Sequence, residues 1–256
     1  MTARVPTHAD AAGASASGAV AAGDGTYKLP RRTAVDWRGA WRLVPSRFPP
    51  QGVFDRIADP ADLDALYAIE SLTNDRLREE LGQLELVPRA RRVSGPGTQP
   101  VMAAFTHVNP DGSRFSDGTY GVFYAAKTLD TAVAETMHHR AKFMAATNEP
   151  AMKIEMRCYR MDVRGRLHDL RRGWAAMLDP DDYGPPRRLA RTLRDAGSDG
   201  VVYPSVRHAG GQCVGVFHPD LVGPCVQAQH LIYAWDGRRV MPDYAIATMA
   251  SSGTSF

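Results

Sequence analysis

Residues 112–139 constrain the chain more than any other stretch, because a polar turn, an aromatic strand and a helix must follow one another there without a linker. Gly112, Ser113, Ser116, Asp117 and Gly118 make a turn that carries Arg114. Tyr120 to Ala125 is rich in aromatic residues and reads as a short strand. Thr128 or Asp130 then opens a helix. Leu129, Val133 and Met137 recur at four-residue steps and share one face of it. Glu135 lies about 200° around the axis from Val133 at ~100° per residue, so it points away from that face. Small Ala132 and His139 flank it. One guanidinium, one phenol (Tyr124) and one carboxylate therefore arrive from three successive elements. The same residues also suit a plain ion pair between Arg114 and Glu135 beside a core Tyr124.

Composition narrows the class. With 256 residues, 44% of them hydrophobic and 23% charged, the chain has material for one large core or two small ones, as in soluble globular proteins. A net charge of +3 with far more Arg than Lys does not mark a nucleic-acid partner. Apolar runs stop short of the ~18 residues of a membrane span, and no apolar leader follows Arg4, so a cytoplasmic location is expected. Cys158, Cys213 and Cys225 have neither zinc-site nor disulfide-framework spacing.

Along the chain, residues 1–26 are rich in Ala, Gly and Ser and are expected to form a flexible tail; residues 245–256 are expected to form another. Between them, residues 27–244 read as a single domain with a helical addition at 54–110. Trp41 to Pro50 reads as a strand entering a proline-stiffened turn. A helix is expected from Asp59 to Leu72, with Pro60 at its first position and a stripe of Leu63, Leu66, Ile69 and Leu72. Val101 to Val108 and Met152 to Val163 read as strands, and Leu167 to Leu170 as a further short one. Arg187 to Ala196 reads as a basic helix closed by Gly197, whose Arg187, Arg191 and Arg194 suit a solvated face. Two hairpins complete the chain. One joins Gly200–Arg207 to Cys213–Phe217, and the other joins Leu231–Trp235 to Arg239–Met241 through Asp236-Gly237. Helices and strands do not alternate regularly, so the expected class is α+β with mostly antiparallel strands in mixed sheets flanked by helices.

Several familiar chemistries lack their residues. The chain has no G-x-S-x-G elbow and no cysteine in a nucleophile context. Gly95-Pro-Gly97 lacks a third glycine and a following helix, so it is no dinucleotide fingerprint. Glu135-Thr-Met-His138 has the E-x-x-H spacing of di-metal bundles but lacks a second copy, so no metal is expected.

Four blocks carry a resemblance: Trp41–Arg47, Ser113–Ala126, Thr131–Glu135 and Gly200–Arg207. In this order they resemble the RES domain, the toxin component of RES–Xre toxin–antitoxin modules. The resemblance spans about Trp41 to Trp235. It implies a fold related to ADP-ribosyltransferases and an activity that consumes NAD+ as substrate, with no bound cofactor. Carried over by position, Glu135, Arg114 and Tyr124 are the implied catalytic residues. Tyr120, Ser205 and either Arg42 or Arg47 are the implied substrate-binding residues. The implied partner is an Xre-type helix-turn-helix antitoxin, and a homodimer is compatible with the pattern. Phe115-Ser116 stands where the family usually has Trp-Asn, and Gly184-Pro185-Pro186 stands where many relatives have a small hydroxylic residue and a glutamine.

This assignment suits the chemistry of the bond. Nicotinamide leaves NAD+ as a neutral molecule, so no general acid is required. A carboxylate is required where positive charge builds on the ribose. A planar guanidinium fits a pyrophosphate better than an ammonium does. Tyr124 suits stacking on or orienting the nicotinamide, and Ser205 suits a hydrogen bond to the nicotinamide ribose or its amide. Water, phosphate as co-substrate, or a macromolecular acceptor could complete the reaction. The last would make the protein an ADP-ribosyltransferase, and a chain in which Glu135 and Arg114 simply pair would be a non-catalytic binding domain.

Overall fold

Residues 19–22, 25–48, 52–64, 79 and 81–243 are described by the computed structural model. In chain order they include β1 (Ala19–Ala22), β2 (Gly25–Lys28), β3 (Arg32–Pro45), α1 (Val53–Arg56), α2 (Gln99–Thr106), β4 (Phe123–Ala126) and α3 (Leu129–Ala146). These are followed by β5 (Met152–Asp169), α4 (Gly184–Asp195), β6 (Gly200–Pro204), β7 (Gln212–Val216), β8 (Val226–Trp235) and β9 (Val240–Asp243). The class is α+β.

Two long strands form the spine. β3 and β5 pair antiparallel from Arg32↔His168 to Pro45↔Met156, with a bulge between Trp37 and Ala40. The seven-stranded sheet runs β3-β4-β7-β6-β5-β8-β9, and the β3–β5 pairing bends this order back on itself. Among the described strands only β5–β6 pairs parallel, at His168↔Val201 and Asp169↔Val202.

Side chains alternate between the two faces of this sheet, as the pleat requires. One face carries Ala40, Phe123, Ala125, Val202, Val214 and Val216, covered by Val53 and Phe54 of α1 and Val101, Met102 and Phe105 of α2. The other carries Leu43, Ala126, Val201, Tyr203 and Cys213, covered by α3 and by Leu189, Ala190 and Leu193 of α4. Tyr203 and Cys213 of the β6–β7 hairpin thus lie on the face covered by α3, the helix that carries Glu135.

Local signals explain most elements. Thr128 caps α3 by accepting the Thr131 N–H at 3.3 Å, with Asp130 in the first turn. Gly237 takes φ +94° in the β8–β9 turn, where Asp236 accepts the N–H groups of Arg238 and Arg239 at 2.8 Å each.

Four expectations change. Val101 to Val108 is helical in its main part: Val101, Met102 and Phe105 form a helical stripe, Ala103 and Ala104 favour a helix, and Pro100 sits in its first turn. Met152–Val163 and Leu167–Asp169 merge into the single strand β5, with Leu170 just beyond its end. The expected N-terminal tail contains β1, which pairs with β2. The 54–110 addition is integral to the first core, where Phe54, Leu63, Leu81, Val101 and Met102 are fully buried. Leu66, Ile69, Leu72, residues 1–18 and residues 245–256 lie outside the described residues.

Candidate active site

Glu135 is half-buried on α3, one turn after the buried Thr131, and its Oε1 accepts a hydrogen bond from Ser205 Oγ at 2.6 Å. Ser205 follows β6 in a tight loop. Its hydroxyl accepts the N–H of Arg207 at 3.1 Å and of His208 at 3.0 Å. One donated and two accepted bonds use all that a hydroxyl offers. Ser205 Oγ thus has its donor and both acceptor positions engaged within the protein, with the donor on Glu135. A second clasp joins loop to helix: Thr131 Oγ1 lies 2.9 Å from His208 Nδ1. Gly211 lets the loop lie this close, because a Cβ there would stand 2.7 Å from Thr131 Oγ1.

Below Glu135 lies a neutral floor. Cys213 Sγ is 4.0 Å from Glu135 Oε1, and Cys213 sits opposite Tyr203 across β6–β7. Burial first, and the nearby charge of Glu135 as well, push the Cys213 thiol up. Burial, then Cys213 and Glu135, also push the Tyr203 phenol well above its ordinary value. Both groups stay protonated, so the floor beneath Glu135 is neutral. Its Oε2 has no hydrogen-bond partner among the described residues.

The floor continues to the Arg114 turn through Phe115, whose ring meets Tyr203 edge-on at 4.9 Å and stacks with Tyr124 at 6.5 Å. Gly215 makes room for both, since a Cβ there would lie 3.3 Å from Phe115 and 3.4 Å from Tyr124. Tyr124 fastens this turn: its hydroxyl accepts the Phe115 N–H at 2.9 Å and exchanges a hydrogen bond with Ser113 Oγ at 2.7 Å. Burial pushes this phenol up to about 12 against the pull of those two bonds. Arg114 is buried, and its Nη1 donates to the carbonyls of Met177 at 3.3 Å and Asp179 at 2.6 Å. Neither Arg114 nor Glu135 forms an ion pair among the described residues, so the plain Arg114–Glu135 pair is absent.

The remaining sequence candidates separate. Tyr120 is closed into the core with 3% exposure, donates its hydroxyl to the Phe115 carbonyl at 2.9 Å, and lies under Arg191 and Arg194. It shapes the turn from beneath. Arg42 stands on the opposite face of the sheet, over the Phe123 ring at 4.6 Å, and donates to the Tyr124 carbonyl at 3.0 Å. Arg47 is exposed on the side of α3, stacked between Phe48 at 5.1 Å and Phe143 at 5.8 Å. Of these two arginines, Arg47 alone shares a face with Glu135.

Three side chains join the site that sequence reasoning did not select. Tyr183, at the N-cap of α4, has Arg114 over its ring at 4.6 Å and Lys142 at 5.8 Å. Arg207 donates to the Pro180 carbonyl at 2.8 Å. Lys142 was open to discovery, because seven residues after Glu135 it returns to the same helical face. Tyr183 and Arg207 depend on how loops meet and leave no local signal. Burial and the nearby Arg207 push His138 down, so it stays a neutral imidazole on the rim. Among the described residues, no three acidic, His or Cys side chains gather as a metal site, and no helix is long and apolar enough to cross a membrane.

The chain is similar to known proteins. Protein y4oC of Sinorhizobium fredii (strain NBRC 101917 / NGR234), itself uncharacterized, is 32% identical over 207 residues, covering 80% of this chain and 86% of that protein. The solved MbcT–MbcA toxin–antitoxin complex of M. tuberculosis aligns at 14% identity with a TM-score of 0.41, over 80% of this chain and 87% of that one. The family model described as the RES domain matches residues 88–236, which hold Arg114, Tyr124, Glu135 and Ser205. The chain belongs to the RES family.

Proposed function

We propose that the protein cleaves the nicotinamide–ribose bond of NAD+ and acts as a toxin restrained by an Xre-type antitoxin. The observation that carries this reading is the half-engaged carboxylate of Glu135. One oxygen is fixed by Ser205, and the other is free above a neutral floor, beside a buried arginine that has no acidic partner. A fixed negative charge in poorly screened surroundings stabilises positive charge developing on a sugar.

In this mechanism the free Oε2 accepts a hydrogen bond from a ribose hydroxyl. The C–N bond breaks as its electron pair moves to the nicotinamide nitrogen, which neutralises the pyridinium. Water or phosphate then attacks the ribose carbon and yields its proton to solvent. Arg114 binds the diphosphate, and Tyr124 acts through Arg114 by holding the turn that carries it. Membership of the RES family supports the NAD+ assignment and the antitoxin partner.

Incubation of the purified protein with NAD+ tests the reading. Nicotinamide release, measured with and without phosphate, is expected together with ADP-ribose or its 1″-phosphate. Transfer of labelled ADP-ribose onto a protein instead would make it an ADP-ribosyltransferase, and intact NAD+ after prolonged incubation would refute both.

A further inference from the structure

We propose that Lys142 and Tyr183, together with Arg114, form the subsite for the substrate's diphosphate; the assignment rests on the NAD+ reading and adds the residues that take the dinucleotide's anionic centre. The ring of Tyr183 is faced by three cations: Arg114 at 4.6 Å, Lys142 at 5.8 Å and Arg187 at 5.8 Å. None of the three is in an ion pair among the described residues. Like charges gathered without an ion-pair partner repel one another, and an incoming anion relieves that repulsion. The face of an aromatic ring holds such cations in place until one arrives.

The three cations differ in what remains free. Arg187 is spent on the chain, donating from Nε to the Ser113 carbonyl at 2.9 Å and from Nη2 to the Asp111 carbonyl at 2.8 Å. It fixes the Arg114 turn from outside. Arg114 uses Nη1 on the Met177 and Asp179 carbonyls, and its Nε and Nη2 have no acceptor among the described residues. Lys142 is exposed, and its ammonium has no hydrogen-bond partner among the described residues. The nearby acids are hydrogen-bonded to backbone: Asp179 accepts the N–H groups of Asp181 and Asp182, and Asp182 accepts that of Gly184, each at 2.8 Å. Those backbone bonds first, and Arg114 as well, hold the Asp179 carboxyl below its ordinary value.

Position agrees with this use. Lys142 lies two turns beyond Glu135 on α3, about 10 Å along the axis at 1.5 Å per residue. Helical side chains lean toward the N-terminus, so the long lysine leans back toward the Glu135 end of α3, where its ammonium lies 5.8 Å from the Tyr183 ring. A dinucleotide with its ribose at Glu135 then places its diphosphate between a planar fork and a point charge, the two complementary ways of holding phosphate oxygens.

The test uses the full chain carrying Glu135→Gln, which binds without turnover, and calorimetric titration with ADP-ribose, ADP and nicotinamide. Adding Lys142→Ala should weaken ADP-ribose and ADP roughly tenfold, as loss of one charge-assisted contact does, while nicotinamide affinity stays the same. Lys142→Arg should restore most of the loss. Tyr183→Phe should bind like its parent and Tyr183→Leu should not, with unchanged melting temperatures showing that the fold is intact. Equal ADP-ribose affinity with and without Lys142 would overturn the subsite and leave the NAD+ reading standing. A Glu135→Gln protein that binds neither NAD+ nor ADP-ribose would overturn that reading, and the subsite with it.

Discussion

Ser205 Oγ donates to Glu135 Oε1 at 2.6 Å while accepting two backbone N–H groups from its own loop. Accepting those bonds polarises the hydroxyl and makes it a better donor. The carboxylate is thereby fixed by a group that cannot turn away without releasing two partly buried N–H donors. In the proposed mechanism Ser205 acts through Glu135, as a positioning residue.

Ser205→Ala should therefore lower kcat by about 10- to 100-fold, in the range of a lost preorganised hydrogen bond, with KM for NAD+ changed little. Steady-state kinetics of nicotinamide release separates the two constants. A large rise in KM with unchanged kcat would return Ser205 to the role of a direct substrate contact.

Arg114→Lys should raise KM for NAD+ about tenfold or more, because an ammonium cannot span two carbonyls and a phosphate as a guanidinium does. Titration of NAD+ against the inactive enzyme gives the same comparison without turnover. Unchanged affinity would remove Arg114 from diphosphate binding.

Tyr124→Phe should cost about 1–2 kcal/mol of stability, since it removes a hydroxyl that serves two partners in a poorly solvated place. KM should rise more than kcat falls, because the turn bearing Arg114 loosens. The phenol also sets an alkaline limit. Its folded-state value, raised to about 12 by burial, lies above the unfolded value, so its stabilisation is complete below about pH 10 and is lost as pH rises toward 12. Urea melts of wild type and Tyr124→Phe between these limits should converge as pH increases; parallel curves would show that Tyr124 does not titrate with unfolding.

Asp117 governs the acid side of the same turn. Burial raises its value, but hydrogen bonds from Thr119 and Arg191 outweigh this and hold it at about 2. A depressed carboxylate contributes stability above its unfolded value near 3.8 that is lost as pH falls toward 2. Asp117→Asn should flatten this acid loss in thermal melts; an identical acid profile would assign the loss to other groups.

Much of the site was legible because its signals are local. Thr128 and Asp130 announce the start of α3, and helical spacing sends Glu135 away from Leu129, Val133 and Met137. The β6–β7 hairpin, which brings Ser205 to that helix, follows from two apolar runs around a glycine loop. What failed depended on tertiary context. Val101 to Val108 is a short apolar run whose period is ambiguous between strand and helix. Arg42 stands on the wrong face for contact with Glu135, as the alternation along β3 past its bulge dictates only once that strand is paired with β5. Tyr183 joins Arg114 through two loops 69 positions apart in number, from 114 to 183, and no spacing rule links such positions.

The most direct test is nicotinamide release by Glu135→Gln, an isosteric change that keeps the Ser205 hydrogen bond and removes the charge. The expected result is a kcat lowered by about 100-fold or more, with NAD+ binding and melting temperature close to wild type. Turnover at the wild-type rate by a correctly folded Glu135→Gln protein would contradict the assignment of Glu135 as the group that stabilises the ribose cation.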